Sequence, residues 1–583
     1  MPNSLVEGLS LLAVDVGAAT TRAVLFDVVE GTYRFIAAGQ APSTADAPCK
    51  DIGLGVRDAI ASIQSITGRT FLGPERRLII PTMPDGSGVD SFAATLSAGP
   101  AIRTAIVGLL SDVSLESARR LAETTYSHIV ERLNLADHRR PDEQIDALLR
   151  SRPDLIVLTG GTDGGASRSV QKMLDSIGLT CYLLPSGKRP AVLFAGNNML
   201  TEDVKKLMAD LTPALHFSPN VRPSLETEDL DPAMNELAHM FVGIRKGQVG
   251  GVDELESWSD GHLLPTSYAA GRMIRFLSSG ATGGVLGVDL GASSASVAAG
   301  MNGELSLHTY PQFGLGENLA ALLKSQDIEN FERWLSVDIH QNILRDTLYQ
   351  RSLHPSIIPA APEDRVIMQA ISRQVLYMAV HAARKDFPSA ARSPRPDLLP
   401  FFELVLASGA ALTEGPTHGQ NLLLLLDAIQ PVGVTRFLLD RNGLLPLLGA
   451  AAEKNNLLPV QVIESGAFHD LGWTVSVVSN TPYGTPVLRV RLLSADNDEV
   501  SAEINHGSLE ALPLAVGQTA RLSLKPLHRA DIGFGPGRAK TISVVGGALG
   551  VVIDARGRPL QLPSDAERRR ELHRKWLWAL EAG

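Results

Sequence analysis

Two short stretches of this chain share a pattern with chemical content. Asp15-Val16-Gly17-Ala18-Ala19-Thr20 and Asp289-Leu290-Gly291-Ala292-Ser293-Ser294 both read Asp, apolar, Gly, small, small, hydroxyl. Each closes an apolar run and leads into a second one, residues 23–26 and 295–299. Strand, tight turn and strand is the signature of a β-hairpin. A glycine in such a turn lets backbone N–H groups come close to an anion. The hydroxyls of Thr20, Thr21, Ser293 and Ser294 can donate to phosphate oxygens, and Arg22 can place a positive charge beside a β- or γ-phosphate. Asp15 and Asp289 supply carboxylates suited to a magnesium ion held through its waters. A single Asp-x-Gly hairpin is common without a ligand. Two of them, each at the end of an apolar strand, point to a nucleotide site shared by two related halves.

The elements that must position these turns read as α/β. Apolar runs at 101–110, 154–158 and 191–195 are strand-like, whereas 56–66 and 115–133 have helical spacing. The strand at 154–158 ends in Thr159-Gly160-Gly161-Thr162-Asp163-Gly164-Gly165, which suits a ligand loop and a plain strand-to-helix turn equally. The strand at 403–407 enters Ser408-Gly409-Ala410-Ala411, and residues 444–452 form a helix with the small pair Gly449-Ala450. Beyond residue 466, short β-branched strands are punctuated by Gly, Pro and Asn, the texture of an all-β module. Gly533 to Arg538 is glycine-rich but lacks the following helix that a dinucleotide fingerprint requires. Residues 564–583 form a helix opened by a Ser564/Glu567 capping box. It carries Arg568, Arg569, Arg570, Arg574 and Lys575 beside Trp576 and Trp578. The plainer expectation packs both tryptophans on the β module; sharper ones dock them on a partner or lay the helix on anionic lipid. A chain of 583 residues exceeds the roughly 250–300 that one core serves. The expected division is 1–282 and 283–465 for two lobes, 466–563 for the β module and 564–583 for the helix.

Composition excludes several classes. A net charge of −10 gives no nucleic-acid-binding field. Cys49 and Cys181 lie far apart, without zinc or CxxC spacing, as expected of reduced thiols in a cytoplasmic protein. The first ten residues lack the basic stretch and apolar core of a signal peptide. The dense apolar run at 422–426 is far shorter than the ~20 residues of a membrane helix. No HxxxH or HExxH pair marks a metal hydrolase, and no strand end carries a Gly-x-Ser-x-Gly nucleophile elbow.

The paired turns resemble the phosphate 1 and phosphate 2 loops of the actin, sugar-kinase and heat-shock ATPase superfamily. Ser408-Gly409-Ala410-Ala411-Leu412 is similar to its adenosine loop, with Ala410 where a second glycine is usual. Residues 444–452 resemble the interlobe helix of the second lobe. The first-lobe counterpart, which often carries the acidic residue that positions the attacking water, is not legible. This resemblance implies an α/β, actin-like fold of two duplicated ribonuclease-H-like lobes, with a C-terminal all-β module. It implies ATP and Mg2+ between the lobes. Asp15 and Asp289 would lie at the metal, and Gly17, Thr20, Thr21, Arg22, Gly291, Ser293, Ser294, Gly409 and Ala410 at the nucleotide.

A more specific resemblance covers nearly the whole chain. The first turn, Ala41-Pro42-Ser43-Thr44, Gly55-Val56-Arg57-Asp58-Ala59-Ile60 and the Thr159 to Gly165 loop are similar to the glutamate mutase L family. So are Leu425-Leu426-Asp427-Ala428-Ile429-Gln430-Pro431 and the segment from Val545 to Leu560. That family is often encoded beside adenosylcobalamin-dependent glutamate mutase. The resemblance implies an ATP-dependent chaperone or reactivator, with mutase subunits rather than nucleic acid or membrane as partners. Two other readings stay open. A nucleotide-locked scaffold without turnover is favoured by Ala410 and by the missing acidic helix. A small-molecule kinase would need an acceptor pocket with an Asp base, and the sequence marks none; no catalytic residue can be named.

Overall fold

The computed structural model describes residues 9–391, 393 and 395–581. Two of its sheets repeat one arrangement. In the first, Leu11–Val16, Thr20–Val29 and Thr32–Pro42 form an antiparallel meander. Ser91–Leu96 and then Leu263–Pro265 add in parallel on the other side of Leu11–Val16. In the second, Gly284–Leu290, Ala295–Met301 and Glu304–Tyr310 form the meander, and Phe402–Ser408 and Gly433–Asp440 add in parallel. In each set the strands lie side by side as third, second, first, fourth and fifth. This is the duplicated, ribonuclease-H-like organisation of an actin-like two-lobed protein. The first strand of each set is covered on both faces, which is why both read as unbroken apolar runs up to their aspartates.

One helix from each lobe packs at the junction. Leu444–Ala451 follows the last parallel strand of the second lobe, and Thr266–Gly280 follows that of the first. A Cβ on Gly449 would overlap the carbonyl oxygen of Ala269, so the two backbones touch there. Thr266–Gly280 is the first-lobe counterpart that sequence reasoning does not find. Its first turn has no acidic residue.

The first lobe contains an insertion between Ser91–Leu96 and Leu263–Pro265. Its parallel strands are Ile102–Val107, Ser127–Leu133, Leu155–Leu158, Ala191–Phe194 and Leu215–Phe217. They lie in the order second, first, third, fourth, fifth over a core of their own that includes Val107, Leu158, Ile177 and Phe194. The helix expected over 115–133 is two elements, Ser114–Ala122 and the strand Ser127–Leu133. Thr124 and Thr125 donate their hydroxyls to the carbonyls of Leu121 and Ala122, which ends the helix, and β-branched Ile129 and Val130 then favour a strand.

The C-terminal β-rich region is only partly a unit of its own. Pro486–Ser494, Glu499–Asn505, Thr519–Pro526 and Lys540–Val545 form a separate antiparallel sheet. His469–Ser476, Leu509–Leu512 and Val551–Asp554 instead extend the second lobe's sheet to eight strands. The change of composition near 466 therefore falls inside one continuous sheet. Two segments 129 residues apart meet below it: Arg556 reaches Asp427 at 2.7 Å and Asp554 at 2.9 Å, with all three side chains fully buried. The terminal helix Ala566–Glu581 covers this cluster. Trp576 is 2% exposed and lies over the Arg556 guanidinium at 4.7 Å, whereas Trp578 is 71% exposed. The expectation that both tryptophans pack holds for Trp576 alone. No helix among the described residues is long and apolar enough to cross a membrane.

The helix crossing gives a direct test. Gly449→Leu forces a side chain into the Ala269 backbone, and we expect it to destabilise the protein by about 2–3 kcal/mol in chemical denaturation. The same change at exposed Gly187, where a Cβ meets nothing within 4 Å, should move the midpoint far less.

Candidate functional site

The two hairpin turns close in the same way. Gly17 N–H donates to the Thr20 carbonyl at 3.1 Å, and Gly291 N–H to the Ser294 carbonyl at 3.0 Å. They open onto one cavity of about 240 Å³ between the lobes. Asp15, Gly17, Thr20 and Arg22 line it from the first lobe, and Asp289, Gly291, Ser293 and Ser294 from the second. Gly409 and Ala410 complete the second-lobe wall. Gly409 has φ 92°, and a Cβ there would overlap the Leu290 carbonyl oxygen. Ala410 begins the short helix Ala410–Thr413, so its backbone is helical and needs no second glycine. Thr21 is the exception among the sequence-derived candidates. Side chains alternate along its strand, so with Thr20 and Arg22 facing the cavity Thr21 points the other way. It is fully buried there, close to Gly55, and its hydroxyl cannot reach a ligand in the cavity.

The two aspartates differ in their surroundings. Asp15 Oδ1 accepts hydrogen bonds from Thr95 and Thr266, each at 2.7 Å. Burial pushes its carboxyl above the usual range, against the pull of these hydroxyls and of Arg22. Asp289 receives no side-chain hydrogen bond among the described residues. Its carboxyl is pushed up to about 7, first by burial and then by repulsion from Asp15, while Arg22 pulls it down and Asp440 pushes it up. Asp15 and Asp289, both half-buried at the cavity wall and the first raising the proton affinity of the second, form an all-oxygen donor set with the neighbouring hydroxyls. That chemistry fits a hard cation such as Mg2+, which would relieve the repulsion.

Four further groups escaped sequence reasoning. Thr266 comes from the head of the first interlobe helix. Tyr126, from the insertion, lines the cavity and accepts the Ser267 N–H at 3.1 Å; burial raises its phenol above the usual range. Asp440 accepts the N–H groups of Leu444 and Leu445 at 2.7 and 2.8 Å, capping the second interlobe helix. An aspartate between a strand and an apolar helix was a readable capping signal. Arg351, on the helix Gln341–Leu353, lines the cavity beside Pro355. Burial lowers its proton affinity, it donates to the Ile357 carbonyl, and it has no carboxylate partner among the described residues. Nothing in its local sequence marks it.

A second buried cluster lies outside the cavity, where Glu123 of the insertion meets His308 and Asp386 of the second lobe. His308 Nδ1 is 2.8 Å from Glu123. The Arg119 guanidinium donates to Glu123 at 2.6 Å and to Asp386 at 2.7 Å. An arginine in that position balances the carboxylates without a metal, and the cluster ties the insertion to the second lobe.

The raised Asp289 carboxyl has a consequence for stability. Between its ordinary value of 3.8 and about 7 the folded protein holds a proton that the unfolded chain has released. This group's contribution therefore weakens as pH rises through that window. Asp289→Asn should flatten the dependence, so that its melting temperature exceeds that of the wild type by more at pH 8 than at pH 4.5 in nucleotide-free buffer.

Comparison with known proteins gives the chain a family. The family model described as MutL protein matches residues 11–466. Protein MutL of Clostridium tetanomorphum is 27% identical over 235 residues, which is 39% of this chain and 48%, about half, of that relative. Among solved structures, the diol dehydratase-reactivating factor in nucleotide-free form is 10% identical, covering 79% of this chain and 100% of that one, with a TM-score of 0.29. Ethanolamine utilization protein EutJ of Carboxydothermus hydrogenoformans is 11% identical, covering 77% and 91%, with a TM-score of 0.26. Such superpositions are loose, and the two-lobed assignment rests on the strand order of this chain. With the family model spanning most of its length, the chain belongs to the MutL, or glutamate mutase L, family.

Proposed function

We propose that the interlobe cavity binds ATP with Mg2+ and that the protein is a nucleotide-dependent accessory protein of an adenosylcobalamin-dependent mutase. The observation that carries the nucleotide part is the pair of identically closed Asp-Gly turns facing one cavity. Backbone N–H groups of both turns, with Thr20, Ser293 and Ser294, would receive the phosphates. Arg22 would neutralise charge at the β- or γ-phosphate, and Gly409 and Ala410 would border the adenosine. Thr95 and Thr266 hold one oxygen of Asp15 and leave the other for the cation, opposite Asp289. Magnesium, when bound, would neutralise the triphosphate and offset the carboxylate repulsion. The mutase part rests on family membership, which also favours a cytoplasmic setting.

The head of Thr266–Gly280 favours one of the alternatives on turnover. Its first turn offers Thr266 and Ser267 where an acidic residue would orient water, and the Thr266 hydroxyl is already committed to Asp15. Nucleotide would then act chiefly by fixing the angle between the lobes. A kinase reading has less support, because the acidic side chains at the cavity are Asp15 and Asp289, both assigned to the cation.

Calorimetry with ATP and Mg2+ tests the core of this reading: absence of binding at millimolar nucleotide overturns it. Asp289→Ala should weaken Mg2+-dependent binding at least tenfold, about 1.4 kcal/mol, while the fold is kept. Because the cation needs the ionised carboxyl, wild-type Mg2+ affinity should fall by up to about tenfold per pH unit below about 7. Phosphate release by the protein alone should stay far below the ~10 s⁻¹ of a typical enzyme. Capture of mutase subunits should differ between ATP and ADP; equal capture in both removes the accessory role.

A further inference from the structure

The inserted sheet has the order second, first, third, fourth, fifth, with all strands parallel. In such sheets the chain reverses its direction of travel beside the first strand, and ligands bind at the carboxyl edge next to that point. Here that point lies between Ile102–Val107 and Leu155–Leu158, so the edge beside it is formed by the loop after Leu155–Leu158, residues 159–165, with residues 108–113 on one side and the turn after Ala191–Phe194 on the other. It lies on the insertion, whereas the interlobe cavity is lined by the lobes and, from the inserted residues, by Ser97 and Tyr126.

The edge is rich in unused donors. The N–H groups of Gly160, Gly161 and Thr162 have no acceptor among the described residues. The 17-residue helix Ser167–Leu183 starts immediately after, and its N-cap residue, Ala166, gives no side-chain cap. An uncapped helix start aims its free N–H groups and its positive dipole end at whatever lies before it. The independent observation is Asn197. It is fully buried, and its oxygen accepts from Met199 N–H at 3.0 Å and Gly164 N–H at 3.3 Å, which fixes the orientation of the carboxamide. Its Nδ2 has no acceptor among the described residues and sits under the loop, 3.7 Å from where Gly161 would carry a Cβ. A buried amide donor left unmatched is rare and costly, and an oxygen acceptor, an oxyanion among them, would match it.

The charges agree. Asp163, the carboxylate of the loop, has its oxygens taken up by Asn198 and Asn220 at 2.9–3.2 Å. Arg168, exposed in the first turn of the helix, has no carboxylate partner among the described residues. Gly164 faces open space, so the turn has room to shift and admit an oxygen beside Asn197. Leu110, 49% exposed, and Met199, 75% exposed, flank the same edge and offer apolar surface to the rest of a ligand.

We propose that this edge is a second binding site, for the phosphate of a phosphorylated small molecule, held by the 159–165 loop, Asn197 and the start of Ser167–Leu183. The site is independent of ATP binding between the lobes.

Equilibrium dialysis of the full chain with radiolabelled inorganic phosphate tests it. Asn197→Asp keeps the two accepted hydrogen bonds but replaces the free donor with an anion. Arg168→Glu reverses the exposed charge without touching the core. Gly291→Val fills the interlobe cavity, with no atom closer than 3.5 Å to the new Cβ. Expected are one phosphate per chain in Gly291→Val, and binding weakened about tenfold or more in Asn197→Asp and Arg168→Glu, the loss of one charge-assisted contact. The proposal is overturned if the wild type binds no phosphate at millimolar concentration. It is overturned equally if Gly291→Val abolishes binding while the two loop variants retain it. Circular dichroism checks the fold of Asn197→Asp, and should that variant not fold, Arg168→Glu against Gly291→Val decides.

Discussion

The contact between Gly449 and the Ala269 backbone sets the frame for the rest of the molecule. Two helices that meet at backbone distance fix how the two lobes face one another. Each helix also reaches back to its own strand ends: Thr266 binds Asp15, and the start of Leu444–Ala451 is held by Asp440. The spacing of the lobes and the placement of their acidic groups are thus one problem with one solution. A larger residue at the crossing would separate the lobes and with them Asp15 and Asp289, whose mutual repulsion marks the cavity electrostatically.

What was legible in the sequence followed from how local each feature is. The hairpins were readable because strand, turn glycine and hydroxyl lie within about a dozen residues, and because the pattern occurs twice. The partner helix Thr266–Gly280 was not, since its role depends on a neighbour some 180 residues away and it carries no acidic marker. Thr21 shows the limit of motif reading: the pattern offers a hydroxyl, but strand alternation sends it to the opposite face. Arg351 shows the converse, a residue brought to the cavity by tertiary folding from an otherwise ordinary helix. Asp440 was readable as a cap and was overlooked.

The C-terminal region carries the same lesson. Turn-rich texture identified its strands, yet texture does not reveal with which sheet a strand pairs. His469–Ser476 joins Gly433–Asp440 by antiparallel pairing, and that register leaves no compositional trace. Similarly, the segments around Asp427 and Arg556 were distinctive in sequence for reasons that only their contact explains. They are the two sides of one buried ion cluster, joined by Arg373 on Asp427 and Arg558 on Asp554.

That cluster bears on how the chain is made. Asp427 is fully buried in the second lobe, and a carboxylate there without its arginines would be an uncompensated charge in a dry interior. Arg556 is synthesised 129 residues later. At about 5–20 residues per second, the ribosome delivers it roughly 6–26 seconds after Asp427. At the start of that interval Asp427 has Arg373 alone as counter-charge and the second lobe lacks three strands of its sheet, whereas the first lobe and its insertion have already been made. Assembly is therefore ordered in time: the N-terminal half can close before Arg556 is made, and the second lobe completes its ion cluster only afterwards. The ion cluster is a late clasp on the second lobe.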